Sequence, residues 1–329
     1  MERGRLVKID KTLLSKHRTE LFIIILLLIF PLLINDKYML HLMITSFVWA
    51  IVATNWNMML GYSGVFHYAQ LALFSIGAYT SAILSLAGVS PWIGMIAAGF
   101  LAALFSIALG WPIAKVKGIY LVLLTFAFHF ILLSSLFHLR DLTGGSQGLV
   151  NVPPFSIGTY VLARTEKVPY YYLAFILLLI STFIHKRIVD SPIGTALQAL
   201  RDSEKYAISR GVNPYKYKIA MFVICSFLTG VCGAFYTHYL AHVGPSILSF
   251  ENIVTPLAAI VIGGMGTIEG PIIGSFVLIF VSEYLRGIEL YRLVIKGLFL
   301  IIMLIFMPTG LVKPLRSIAS SLSKKLKKK

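Results

Sequence analysis

The chain has 329 residues, 58% of them hydrophobic, with a mean hydropathy of +0.85 and only 13% charged residues. A formal charge of +16 would suit a nucleic-acid binder, yet residues 37–140 contain no Asp or Glu and only four basic residues, which excludes a water-exposed domain there. The basic excess reads instead as the Lys and Arg that collect on the cytoplasmic side of membrane proteins, and no nucleic-acid partner is expected.

A bilayer core about 30 Å thick needs about 20 apolar residues per helix, which leaves room for about ten spans and no separate soluble domain. The expected architecture is all-α: one polytopic helical bundle in contact with membrane lipid. Residues 21–34 form the first apolar run, with Pro31 inside it. No small-residue cleavage site precedes Asn35, so the run reads as a membrane helix rather than a signal peptide. Further runs occupy residues 39–60, 65–87, 91–114, 118–139, 169–184, 217–240, 253–267, 271–285 and 290–307.

Ten spans place both termini on one side, and charge says which. The segments then assigned to the cytoplasm, 1–20, 115–118, 186–218 and 313–329, carry 6, 2, 7 and 7 Lys or Arg. The opposite loops carry six, and Lys296 falls within the last span. Both termini are therefore expected in the cytoplasm.

The break between the second and third runs contains Gly61, Tyr62 and Gly64; polar His67 and Gln70 follow it, with Gly77 and Tyr79 farther on. Non-helical backbone at membrane depth is tolerated only where protein buries it or water lines it, so this break is either a pathway element or a short cytoplasmic turn. Residues 140–168 make the longest external loop, opening with Gly144, Gly145 and Gly148 and followed by Pro153 and Pro154. Cys225 and Cys232 lie seven residues apart in one apolar run. On a helix that spacing is roughly 10 Å, beyond disulfide reach.

Residues 186–218 are too long for a simple connector. Ile193, Leu197, Leu200, Ala207 and Ile208 recur at roughly helical spacing among charged Arg201, Asp202, Glu204, Lys205 and Arg210, with Gly211 and Pro214 as stop signals. Ser191 and Pro192 make a plausible helix start. One short amphipathic helix is expected there, either a docking element or a helix lying in the headgroups. Later, Gly263 and Gly264 precede a Gly266, Gly270, Gly274 series whose spacing lets helices approach closely, overlapped by a tight turn at Glu269.

What is missing narrows the function. There is no Gly-x-x-x-x-Gly-Lys-Ser/Thr phosphate loop, no His-Glu-x-x-His pattern and no Gly-x-Ser-x-Gly elbow. No catalytic residue, metal site or cofactor is expected, and the chain does not read as an enzyme. A gradient-driven carrier would need intramembrane ionisable groups, for which Glu269, Glu283 and Lys296 are the available residues. Energy delivered from outside the chain, at the cytoplasmic helix, is the alternative.

Several of these residues together resemble a known family, the permease subunits of branched-chain amino acid ABC importers of the LivM-like class. The resemblance runs from Gly61-Tyr-Ser-Gly64 and Ile76-Gly-Ala-Tyr79 through Lys117-Gly-Ile-Tyr120 and Leu142-Thr-Gly-Gly-Ser-Gln-Gly-Leu149. It continues with Arg201-Asp-x-Glu204, Gly211-Val212, Gly230-x-x-Gly233, Ile262-Gly-Gly-Met-Gly-Thr267 and Met307-Pro-Thr-Gly-Leu311. It implies a second permease subunit, two cytoplasmic ATPases that hydrolyse ATP, and an extracytoplasmic solute-binding protein. It also implies that Arg201, Asp202, Glu204, Ala207 and Gly211 fall in a coupling segment facing an ATPase. One departure stands out. Where the family reads Ser-x-Gly after the second glycine, this chain has His67, Tyr68 and Ala69. That leaves urea, short amides or other amino acids open as substrates, since permeases for urea, amides and simple sugars resemble the same broad family.

Overall fold

The computed structural model describes residues 23–34, 36–116, 118–158, 160–285, 292–307 and 310–312. In chain order the helices are α1 (Ile23–Leu33), α2 (Lys37–Asn57), α3 (Gln70–Leu86), α4 (Pro91–Lys115), α5 (Ile119–His138) and one-turn α6 (Arg140–Thr143). They continue with α7 (Lys167–Val189), α8 (Pro192–Asp202), α9 (Glu204–Ser209), α10 (Pro214–Leu240), α11 (Phe250–Gly263), α12 (Glu269–Tyr284) and α13 (Arg292–Phe306). Among the described residues, five stretches are long and apolar enough to cross a membrane unaided: α2 with its following turn, α4 to Pro112, α5, α7 and α10.

Local chemistry sets the helix starts. Asp36 accepts the Tyr38 amide before α2, and Asn213 accepts the Tyr215 and Lys216 amides before α10. Pro91, Pro192 and Pro214 stand in the first helical turn, where a missing N–H leaves nothing unsatisfied. Inside α1, Pro31 cannot donate to the Leu27 carbonyl, and the Tyr171 hydroxyl of α7 supplies that bond at 2.6 Å.

Helix α2 sits at the centre, packed by α7, α10, α11 and α12, and it is buried along nearly its whole length. A helix apolar on every face belongs in the interior. Aromatic rings fill its contact with α7 and α12, where Phe47 meets Tyr171, Phe175 and Phe276 at centroid distances of 5.2–5.6 Å. A second layer stacks α3 and α4 on α10. There the backbones nearly touch: Gly77 faces the Gly230 backbone, and Gly230 in turn faces Ala98 and Ala102. Helices α11 and α12 make a third close pair, with Gly263 against the Gly270 backbone and Gly274 against the Ala259 carbonyl.

The all-α expectation gives way at one end of the bundle to four two-residue strands. Strand β1 (Leu149–Val150) pairs antiparallel with β4 (His242–Val243), and β2 (Ser156–Ile157) pairs with β3 (Tyr160–Val161). This long loop folds down onto α10. The His238 ring bonds the Pro153 carbonyl and the Ser81 hydroxyl, each at 2.7 Å, while Arg164 donates to the His238 and Val152 carbonyls. Cys225 and Cys232 are buried and unbridged, as their spacing requires.

Several boundaries depart from the sequence reading. Helix α7 runs to Val189 because Lys186 and Arg187 sit in its last turn, where cations suit the helix dipole. Helix α11 stops at Gly263 rather than at residue 267, since Gly264 takes φ +120°. The single amphipathic helix expected after residue 191 is two helices, α8 and α9. Ser203 breaks the first in extended backbone and caps the second by accepting the Tyr206 amide. That restart shifts the helical phase, so Leu197, Leu200 and Ala207 are buried while Ile208 is exposed. The side chain of Lys296 and residues Pro308 and Thr309 lie outside the described residues.

Candidate functional site

At the end of the bundle that carries α8, three turns converge. Helix α2 continues through a π-helical turn, Met58–Tyr62, and the chain then leaves the helix. The Val65 amide and the Ser63 hydroxyl both bond the Met59 carbonyl, at 2.9 and 2.6 Å, and Gly64 adopts φ +69° to let the chain turn. Helix α3 therefore begins at Gln70, five residues later than its apolar run suggests.

Two side chains clamp this break. Arg201 of α8 donates from Nη1 to the Gly61 carbonyl at 2.8 Å. Asn57 donates to the Thr267 carbonyl at 2.7 Å and accepts the Gly266 amide at 3.0 Å. The backbones are close enough that a Cβ on Gly61 would collide with Gly266. Of the residues singled out in the sequence, Gly61, Gly64, Gly266 and Arg201 thus meet at one joint. Gly263, Gly264, Gly270 and Gly274 lie beside it along the α11–α12 contact, where Gly263 meets the Gly270 backbone.

Above the joint the interior is polar. Gln70 and Asn55 both donate to the Thr229 hydroxyl, at 2.6 and 3.0 Å, and Ser181 donates to Asn55 at 3.4 Å. Four helices, α2, α3, α7 and α10, share this network. His67 is buried between Trp56 and Phe222, with centroids 6.0 and 5.0 Å away. Tyr62 is buried too, and lines a cavity of about 390 Å³ with Leu27, Phe175, Leu178, Lys186 and Ile272. Gly77 and Tyr79 do not join the break: they lie about two turns or more along α3, Gly77 against Gly230 and Tyr79 buried.

The coupling segment divides into an inward and an outward half. Glu204 pairs with Lys218 at 3.1 Å, their side chains 19% and 9% exposed, which bolts α9 to the start of α10. Ala207 is buried, whereas Asp202, Tyr206, Ile208 and Gly211 face outward, Gly211 with φ +85°. At the opposite end of the bundle, Gly144, Gly145 and Gly148 all take positive φ. Thr143 bonds the Leu136 carbonyl at 2.7 Å, and Gly148 packs on the Val243 carbonyl beside the β1–β4 pair.

Asn55, Asn57, Ser181 and Thr229 carry the interior network, yet their sequence signal is slight: isolated carboxamides and hydroxyls in apolar runs. The whole arrangement holds and positions. The contacts of the break and of the network above it are amides, hydroxyls and carbonyls, with the Arg201 guanidinium, and one carboxylate–ammonium pair ties α9 to α10.

Residues 38–308 match the family described as the branched-chain amino acid transport system / permease component. The chain belongs to this family. The permease is 26% identical over 323 residues to the high-affinity branched-chain amino acid transport system permease protein LivM of Escherichia coli K12, covering 91% of this chain and 76% of that one. It is 27% identical over 289 residues to LivH of the same organism, covering 80% of this chain and 91% of that one. A shorter match, 28% over 123 residues, links it to the ribose import permease protein RbsC of Haemophilus influenzae, with 34% of this chain and 38% of the relative covered. No solved structure matches. The permease is a multi-pass helical protein of the cell membrane.

Proposed function

We propose that this permease is the membrane subunit of an ATP-binding-cassette importer and that branched-chain amino acids are its solutes. It works with a second permease subunit, two cytoplasmic ATPases that hydrolyse the ATP, and an extracytoplasmic solute-binding protein. The observation that carries this reading is the α8–α9 segment, amphipathic and lodged against the α2–α3 break, in a chain whose long relatives are named for branched-chain amino acid transport. Both termini and the α8 end face the cytoplasm, in a ten-span arrangement supported by the Lys and Arg excess at that end.

In this reading the segment containing Arg201, Asp202, Glu204, Ala207 and Gly211 couples to an ATPase. Its outward face offers Asp202, Tyr206, Ile208 and Gly211. The pathway runs past Gly61, Tyr62, Gly64, His67 and Gln70, with Gly77 and Tyr79 farther along α3, and the loop of Gly144, Gly145 and Gly148 lies outside. Reconstitution of the full assembly in liposomes tests it. Leucine uptake should require internal ATP and persist when proton and sodium gradients are collapsed. Uptake that follows a gradient without ATP would replace this reading with a carrier dependent on Glu269, Glu283 or Lys296.

A second reading rests on His67 and Ala69, which stand where the family resemblance implies Ser and Gly and make the break bulkier. A narrower passage suits urea or short amides. Uptake of labelled urea or acetamide that excess leucine does not reduce would favour it.

A further inference from the structure

We propose that Arg201 is the positioning residue that carries movement of α8 into the break between α2 and α3. This deepens the importer reading and rests on it. Helix α2 ends in a turn from which the chain departs at Ser63, so its last carbonyls lack partners within the helix. The Gly61 carbonyl finds its partner in another element, the Arg201 guanidinium at 2.8 Å. A cation there also suits the negative end of the helix dipole.

The guanidinium faces two ways. Its Nη1 reaches inward to Gly61, while Nε and Nη2 reach outward to the Asp202 carboxylate, at 3.0 and 2.9 Å. A planar fork fixes the angle between those bonds, which an ammonium on a flexible stem cannot do. Asp202, whose side chain is 67% exposed, stands on the face offered to an ATPase. Displacement there turns the fork, and the fork holds the α2 terminus.

Space is kept clear for this contact. A Cβ on Gly64 would press on Arg201 Cγ at 2.9 Å, and a Cβ on Gly266 would stand 3.5 Å from Nη1. Leu197, one turn before Arg201, packs in the same apolar cluster as Met58, Met59 and Tyr62, so α8 touches the break through a greasy contact and a polar one together. Asn57 extends the joint to Thr267 and Gly266, so that the α11–α12 turn moves with it.

The test uses the complete transporter in liposomes, with Arg201→Gln, Arg201→Lys and Gly64→Ala variants. ATPase binding, ATP hydrolysis and leucine uptake are measured on the same preparation. The expected result is that Arg201→Gln retains its ATPases and hydrolyses ATP, while solute imported per ATP falls several-fold. Arg201→Lys should recover part of that ratio, and Gly64→Ala should lower it with Arg201 intact. An unchanged ratio in Arg201→Gln overturns the proposal. Loss of ATPase binding in that variant overturns it as well, by making Arg201 a docking residue. Wild-type uptake that needs no ATP removes the importer reading instead, and this inference with it.

Discussion

Glu204 and Lys218 illustrate how a residue's chemistry differs from its place in a motif. In the sequence Glu204 is one of several charges in the segment 186–218; in the fold its carboxylate is inward, bonded to Lys218, whose side chain is 9% exposed. The pair is partly buried, and removing the carboxylate leaves the ammonium short of a partner at a cost of about 1–3 kcal/mol. Glu204→Ala should therefore lower the thermal unfolding midpoint of the detergent-solubilised permease. The double variant Glu204→Leu with Lys218→Met should recover most of it, because a packed apolar pair avoids the stranded charge. A single variant that unfolds at the wild-type temperature would show the pair to be dispensable. No spacing rule reveals this pairing: residues 204 and 218 lie on opposite sides of the Gly211 turn, and only the path of that turn brings them together. Arg201 is hidden in the same way, since a carbonyl partner 140 residues away leaves no mark in composition.

Helices carry the part of the fold that the sequence makes legible. Apolar runs and proline starts locate them because a segment in lipid must satisfy its own backbone. What the runs do not disclose is where backbones touch. The Gly266–Gly270–Gly274 spacing signals a close approach, and one is present, although Gly263 rather than Gly266 meets the facing helix most tightly. Two glycines give contrasting expectations. A Cβ on Gly263 would overlap the Gly270 carbonyl, so Gly263→Ala must push α11 and α12 apart. Gly297, within α13, has open space around its added Cβ among the described residues. There Gly297→Ala removes a poor helix former and should stabilise by up to about 1 kcal/mol. Thermal unfolding of the two variants should shift in opposite directions, and a tolerated Gly263→Ala would mean the α11–α12 contact can relax. The segment 186–218 shows the limit of periodicity. Ile208 fits the apolar stripe only if one helix runs through Ser203, and the restart at that serine turns it outward.

At the scale of the whole molecule, α8–α9 lies at one end of the bundle and the β1–β4 loop at the other. Accessibility labelling checks which end is which. Single cysteines at Tyr206 or Ile208, both exposed, should react with a membrane-impermeant maleimide only in inside-out vesicles. Cysteines at Val161 or Phe250, exposed at the far end, should react only in intact cells or spheroplasts. The reverse pattern would invert the topology and place the coupling segment out of reach of ATP.

The central position of α2 also constrains how the protein is made. Helices α7, α10, α11 and α12 enclose it, and all of them leave the ribosome after it. Asn55 and Asn57, both buried, have their partners at Ser181, Thr229 and in the Gly266–Thr267 turn, at least 126 residues downstream. During synthesis these carboxamides face lipid or the insertion machinery, a costly exposure for polar groups in hydrocarbon. Biogenesis must shelter the second helix until nearly the entire polypeptide has been inserted, and nascent chains cut after Leu240 should be cleared by membrane proteases rather than accumulate.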